Sequence, residues 1–127
     1  MTITLDIGGE GRHPGAVNLN RSRVKTLGPE RGQPIPNLIV GRADSIPLAN
    51  GSVSQVIVER TPLSTNALAE IARVTAPQGK IILIHVPLPD ADRHERALQM
   101  LPGKVERRDI FIGQRVQETR IEFHGPS

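Results

Sequence analysis

The chain opens with a strand pattern that ends in clustered glycines, and this stretch limits what the rest of the sequence can fold into. Residues 2–7 alternate, with apolar side chains at Ile3, Leu5 and Ile7. A period of two predicts a β-strand with one buried face. Glycines follow at once, and a glycine lets backbone approach a ligand closely because it has no Cβ. Ligands of open α/β sheets bind at the carboxyl ends of strands, so this turn is the first candidate binding element.

The composition narrows the class of protein. With 127 residues, 37% hydrophobic and 23% charged, the chain is expected to form one folded domain over residues 1–127. The absence of cysteine excludes disulfides, thiolate catalysis and cysteine-ligated metals. We find no apolar run near the ~20 residues of a membrane span and no signal-peptide layout, so we predict a cytoplasmic protein without a membrane partner. The net charge of +3 is scattered and only two residues are aromatic, which argues against nucleic-acid binding.

The remaining pattern alternates strands with helices, as is typical of a mostly parallel sheet. Residues 21–37 contain too many glycines and prolines for a helix and are expected to be irregular. The last segment, 104–124, predicts an antiparallel hairpin with strands at 109–112 and 119–124. The other predicted strands are 16–20, 38–40, 53–59 and 80–86, the last at the centre of the sheet, and the predicted helices are 66–75 and 91–101.

Four stretches carry a resemblance to a known family. They read LDIGGEG (5–11), GAVNLN (15–20), RADSIPLANGSVSQVI (42–57) and ALAEIARVTAPQGKIILIHV (67–86). Together they resemble class I S-adenosylmethionine-dependent methyltransferases, in a compact type-11-like variant. The resemblance implies an α/β fold with a mostly parallel, Rossmann-like sheet, a C-terminal antiparallel hairpin and helices mainly on one face. It also implies S-adenosylmethionine as cofactor and methyl transfer to an unknown acceptor as the activity.

The resemblance assigns seven positions to the cofactor. Those expected at the methionyl part are Asp6, Gly8, Gly9 and Gly11, with Asn20 at the ribose and Ala43 and Asp44 at the adenine. Residues 59–62 (ERTP) do not match the family's substrate-side motif, and two cofactor-site residues also depart from the family pattern, because Glu10 replaces a glycine and Asn20 replaces an acid. Both departures predict weaker cofactor binding, through repulsion of the cofactor's carboxylate and weaker hydrogen bonds to the ribose. The alternative function is therefore a catalytically inactive, methyltransferase-like binding or subunit module.

Candidate catalytic residues are few. Glu59 ends a predicted strand and is either a general base or an ion-pair partner of Arg60. His85 lies near the carboxyl end of strand 80–86 and is either catalytic or a buried structural histidine. His94 is expected on a polar helix face and receives no role. No two histidines have metal-ligand spacing, so no metal site is predicted.

The two connections between the first three strands supply no helix, and we expect no N-terminal lid before the first strand. Right-handed crossovers place both predicted helices on one face of the sheet. The other face is expected to be bare, to expose several hundred Å² of apolar surface, and to leave Thr2, Thr4 and Asp6 half-exposed. Such a face needs cover, which predicts a homodimer or, as alternatives, a partner subunit or residues 21–37 folded back over the face.

Overall fold

A computed structural model describes residues 2–125, whose strands form one seven-stranded sheet. The strands are β1 (Thr4–Ile7), β2 (Val17–Asn20), β3 (Leu38–Val40), β4 (Val53–Glu59), β5 (Thr75–His85), β6 (Gly103–Phe111) and β7 (Val116–Phe123). The helices are α1 (Thr65–Val74) and α2 (Glu95–Met100), with a 3-10 turn at Ile112–Gln114. The strand order is β3-β2-β1-β4-β5-β7-β6.

The sheet confirms the predicted α/β architecture. Strands β1 to β5 pair in parallel, whereas β7 runs antiparallel to both β5 and β6. The chain passes from β1 to β2 and from β2 to β3 without a helix, as the glycine and proline content predicts. The carboxyl ends of β1 to β4 therefore meet at one edge of the sheet.

The predicted centre of the sheet is wrong. The middle position belongs to β4, and β5 lies beside it. An apolar run such as that of β5 indicates a strand buried on both faces. Strand β4 has the same indication in its buried residues Val56, Ile57 and Val58, so this pattern does not distinguish the two strands. Strand β5 also begins earlier than predicted, at Thr75, with a register irregularity across the expected turn before Lys80.

Helix α1 forms where its apolar periodicity predicts. Ser64 is the N-cap residue, and its side chain accepts a hydrogen bond from the Ala67 amide at 3.1 Å. The buried residues Leu68, Ile71 and Val74 recur at helical spacing and pack against the sheet. The cap and the apolar stripe together account for this helix.

Helix α2 begins at Glu95 and not at residue 91, so its predicted start is wrong. The Asp92 side chain accepts a hydrogen bond from the His94 amide at 3.0 Å, which holds this segment in a turn before the helix. The side chain of His94 is fully buried. Its predicted place on a polar helix face is therefore wrong as well.

The C-terminal hairpin is confirmed, but its first strand is longer than predicted. Strand β6 pairs with β7 from Gly103 to Phe111, whereas the sequence pattern indicated only 109–112. Most of β6 is exposed, and its side chains at 104 and 106–109 are charged. Charges protect an edge strand from association, and they also remove the apolar alternation that would have revealed it.

The two faces of the sheet differ, and we call them the helix side and the open side. The helix side includes the paired row Leu5, Val56, Ile81 and Ile121, which packs in one core with both helices. The open side includes the next row, Asn18, Asp6, Ile57, Ile82 and Arg120. No helix within residues 2–125 covers the open side, as predicted.

The open side is less exposed than predicted. Asp6 is 0% exposed, and Ile57 and Ile82 are 5% and 8% exposed. The connection after β1 places Arg12 on Asp6, and Asn18 donates a hydrogen bond to the carbonyl of Pro36 at 2.8 Å. The loops thus cover β1 and β2, and the expectation of a half-exposed Asp6 and a large apolar patch is wrong. In the described part of the chain, no helix has the length and apolarity of a membrane span.

Candidate functional site

A cavity of about 350 Å³ opens at the carboxyl ends of β1 to β4. The chain continues from β1 to its neighbour β2 on one side and from β4 to its neighbour β5 on the other side. The connections after these two adjacent strands therefore diverge, and open α/β sheets bind ligands at such a switch point. The cavity walls come from the residues that follow each strand. They include Gly8, Asn20, Arg21, Gly41, Arg42, Ala43, Asp44, Thr61, Pro62 and Ser64.

The seven predicted cofactor residues divide into two groups. Gly8, Asn20, Ala43 and Asp44 line the cavity. The other three, Asp6, Gly9 and Gly11, are not among the residues that line the cavity. The structure thus brings the predicted ribose and adenine positions together with one glycine of the turn.

The glycine turn is tied to the protein through its own amides. Gly8 donates a hydrogen bond to the Leu19 carbonyl at 2.8 Å, and Gly9 donates to the Asp6 carbonyl at 3.2 Å. Gly11 donates to Oδ1 of Asn18 at 3.3 Å. A Cβ at Gly9 would collide with the side chains of Asp6 and Asn18. Close packing against these two polar residues therefore explains the glycine at this position.

Asn20 has a structural role that an acid in its place could not fill. Its Nδ2 donates a hydrogen bond to the Gly9 carbonyl at 3.1 Å, and its Oδ1 accepts one from the Ser22 amide at 2.9 Å. A carboxylate at physiological pH has no proton to donate to Gly9. An amide oxygen has two lone pairs, so Oδ1 keeps one for a ligand hydroxyl.

Asp44 lies on the cavity wall in a loop that α1 holds in place. Glu70 accepts a hydrogen bond from the Ile46 amide at 2.8 Å, and Arg73 donates to the Ile46 carbonyl at 2.7 Å. The hydrogen bond from Arg73 holds the pKa of Glu70 below its usual range. These two positioning residues were not among the predicted site residues, although both belong to the stretch 67–86 that resembles the methyltransferases.

Glu10 does not line the cavity. Its carboxylate accepts hydrogen bonds from the Thr26 amide at 3.0 Å and from the Thr26 hydroxyl at 2.6 Å. Desolvation raises the pKa of Glu10, but the hydrogen bonds from Thr26 and Leu27 outweigh it and hold the pKa below its usual range. Among residues 2–125, Glu10 is not one of the non-glycine residues with a positive φ, so it carries no left-handed strain.

A charged group, here called the Arg12 cluster, lies beside the cavity and consists of Asp6, Arg12, His13 and Glu59. Arg12 donates to both carboxylate oxygens of Asp6, at 3.2 and 2.9 Å. Burial raises the pKa of Asp6, and the Arg12 guanidinium opposes that rise. His13 Nε2 lies 3.2 Å from Oε1 of Glu59. Glu59 therefore pairs with His13, and its expected ion pair with Arg60 is wrong.

Thr61 joins the Arg12 cluster to the cavity. Its hydroxyl oxygen lies 3.1 Å from the Ile7 carbonyl and 3.3 Å from the Glu59 carbonyl, and the two carbonyls share its single proton. Arg12 Nη2 donates to the same Glu59 carbonyl at 3.2 Å. Since Thr61 forms part of the cavity wall, the guanidinium is connected to the cavity through the Glu59 carbonyl and Thr61.

His85 is buried and belongs to a hydrogen-bonded chain behind this wall. Its Nε2 lies 2.7 Å from the Thr61 carbonyl and must donate, because a carbonyl only accepts. His85 Nδ1 then accepts from Nε2 of His94 at 2.8 Å, and His94 Nδ1 accepts from the Thr119 hydroxyl at 2.7 Å. Burial lowers the pKa of His94 to about 4 and also lowers that of His85, so both rings are neutral at pH 7.

The buried arrangement places His85 behind Thr61 and outside the cavity walls. The sequence offered no signal for its pairing with His94, because the two residues come from separate elements. Within residues 2–125, no group of three or more histidine, aspartate or glutamate side chains is arranged to bind a metal ion.

Comparison with solved structures identifies the fold. The chain is similar to a 16S rRNA (adenine(1408)-N(1))-methyltransferase variant from Catenulisporales acidiphilia, crystallised with S-adenosylmethionine, at a TM-score of 0.65 and 15% identity over 99% of this chain and 86% of that chain. The methyltransferase in a complex with the Haloferax volcanii Trm112 methyltransferase activator gives a TM-score of 0.67 and 14% identity, over 97% and 83% of the two chains.

A third similar structure is the PH0226 protein from Pyrococcus horikoshii, with a TM-score of 0.67 and 15% identity over 94% of this chain and 81% of that one. No protein-family description matches the sequence, and no curated protein matches it significantly. The chain therefore has the fold of the class I S-adenosylmethionine-dependent methyltransferases.

Proposed function

We propose that the protein binds S-adenosylmethionine in the switch-point cavity and transfers its methyl group to an acceptor. The observation that carries the proposal is the convergence of Gly8, Asn20, Ala43 and Asp44 on one cavity. The resemblance assigns these four residues to the cofactor from their motifs alone. The similar 16S rRNA methyltransferase was crystallised with this cosubstrate.

The chemistry of the cavity fits the cofactor. Its volume of about 350 Å³ lies in the range of ~300–1,000 Å³ that small-molecule sites occupy. Asp44 can accept a hydrogen bond from the adenine amino group, and Oδ1 of Asn20 keeps a lone pair for a ribose hydroxyl. Gly8 lets the ligand pass close to the backbone of the turn. The cavity thus offers a complement for each part of an adenosine.

The residues of this chain mainly bind and orient. The bound cofactor supplies an electrophilic methyl group, so the protein needs to position the acceptor in line with it. Glu59 stays a candidate general base, since its carboxylate is partly exposed beside the cavity. His85 acts in this proposal through Thr61, which it holds by a hydrogen bond.

Titration calorimetry with S-adenosylmethionine tests the proposal. We expect binding with a dissociation constant in the micromolar range, and Asp44→Ala should weaken it about tenfold through loss of the adenine contact. Asp90→Ala is the matched control, because Asp90 is exposed and lies outside the cavity walls. No heat and no thermal shift at millimolar ligand would leave the inactive binding module as the function.

We further propose that the chain associates through its open side, as a homodimer or with a partner subunit. The open side lacks a helix over β4, β5 and β7 among residues 2–125, and one similar methyltransferase forms a complex with an activator. Sedimentation of the purified chain tests the homodimer, since a single species of 13.8 kDa at micromolar concentration would exclude it. The single domain over residues 1–127 and the cytoplasmic location stay predictions.

A further inference from the structure

The Arg12 cluster presents a donor and an acceptor that the protein does not use. Arg12 has five N–H groups, and three of them bond to Asp6 and the Glu59 carbonyl through Nε and Nη2. Within residues 2–125, Nη1 donates to no acceptor and Oε2 of Glu59 accepts from no donor. A positively charged donor and a negatively charged acceptor therefore lie side by side.

The two groups are held in position. The buried carboxylate of Asp6 fixes the guanidinium through two hydrogen bonds, and His13 fixes Oε1 of Glu59. Both side chains remain accessible, at 29% exposure for Arg12 and 25% for Glu59. Arg12 Nε lies 3.6 Å from Glu59 Oε1, so their charges stay close together. A preorganised pair of this kind gains affinity because little side-chain freedom is lost on binding.

We infer that Arg12 and Glu59 bind the α-amino-acid end of the cofactor, its carboxylate at Nη1 of Arg12 and its ammonium at Oε2 of Glu59. This inference rests on the proposed function; it moves methionyl recognition from Asp6 to Arg12 and Glu59, and it gives Glu59 a binding role in place of the general-base role. Asp6 is sealed by Arg12 and cannot reach the ammonium, so its role is to fix the guanidinium. Thr61 connects the pair to the cavity, which leaves the adenosine at Asn20 and Asp44.

Two ligands separate this inference from the proposed function. S-Adenosylhomocysteine has the amino-acid end, whereas 5′-methylthioadenosine has the same nucleoside and thioether without it. In calorimetric titrations, Glu59→Gln should weaken S-adenosylhomocysteine about tenfold, because a charge-assisted hydrogen bond is lost, and should leave 5′-methylthioadenosine within about twofold. Glu106→Gln is the matched control on exposed strand β6 and should change neither affinity.

Arg12→Lys is the second variant, because lysine keeps a positive charge opposite Asp6 but loses the free Nη1 arm. It should also weaken S-adenosylhomocysteine more than 5′-methylthioadenosine, and it should lower the unfolding midpoint, because lysine cannot keep both hydrogen bonds to Asp6. Equal weakening of both ligands by Glu59→Gln, or no weakening of S-adenosylhomocysteine, would overturn the inference while the proposed function stands. If the unsubstituted protein binds neither ligand, the proposed function fails and the inference fails with it.

Discussion

The helix side and the open side of the sheet come from alternate residues of the same strands, yet they differ in chemistry. On the helix side, aliphatic residues from β1, β4, β5 and β7 pack with two helices into one core. On the open side, a buried aspartate is neutralised by an arginine from a loop, and isoleucines lie without a helix above them. The helix side accounts for most of the apolar burial, while the open side brings charged groups to the carboxyl edge.

This difference shows how a sheet can carry a site after one layer of helices has been replaced by loops. The loops after β1 and β2 cover polar residues through hydrogen bonds, which need particular partners and fixed geometry. Helices stabilise apolar residues by removing their surface from water, and many different apolar side chains can do this. The open side should therefore be sensitive to the loss of single polar partners, whereas the helix side should be sensitive to the loss of buried apolar surface.

The largest expected effect is a loss of stability that differs between matched substitutions on the two sides of the sheet. Leu83→Ala on the helix side removes a fully buried side chain and should lower the free energy of unfolding by about 4 kcal/mol. Ile82→Ala, one residue along on the open side, should cost about 2 kcal/mol, because no helix packs over it and the site can relax. Urea unfolding of both variants measures the difference, and equal losses would mean that the open side is packed as tightly as the core.

The second prediction concerns the ion pair of the open side. Arg12→Leu leaves the carboxylate of Asp6 buried without its partner and should cost about 3 kcal/mol of unfolding free energy. The double variant Asp6→Asn with Arg12→Leu should recover much of that loss, since no charge is then left unpaired. Urea unfolding of the single and double variants decides this, and an undiminished loss in the double variant would contradict the charge argument.

The third prediction uses the buried histidines of the helix side. The folded pKa of His94, about 4, lies below the unfolded value of 6.5, so the unfolded state binds more protons between these limits. Stability is therefore complete above pH 6.5 and falls as the pH drops toward 4, by about 2 kcal/mol between pH 7 and pH 5. His94→Gln should flatten this part of the stability curve measured by urea unfolding, whereas His124→Gln at an exposed position should not.

The fold could be predicted from local sequence patterns, and the structure contains the elements that these patterns predict. The alternation in β1, the cap and apolar stripe of α1, and the motif around Asp44 each report on residues close together in the chain. Prediction failed where distant residues decide the outcome. The burial of Asp6 depends on Arg12, that of His94 depends on His85 and Thr119, and the partner of Glu59 comes from the loop after β1.

The smallest expected effect lies at Asn20, where the structural and binding demands on one side chain oppose each other. Asn20→Asp removes the hydrogen bond to the Gly9 carbonyl and should lower the free energy of unfolding by about 1 kcal/mol. The same change places a carboxylate at the cavity wall, where charge-assisted hydrogen bonds to ribose hydroxyls should tighten S-adenosylhomocysteine severalfold. Thermal unfolding and calorimetry on one preparation measure both quantities. Weaker binding together with lower stability would mean that the glycine turn, once released from Asn20, no longer presents the cavity to the ligand.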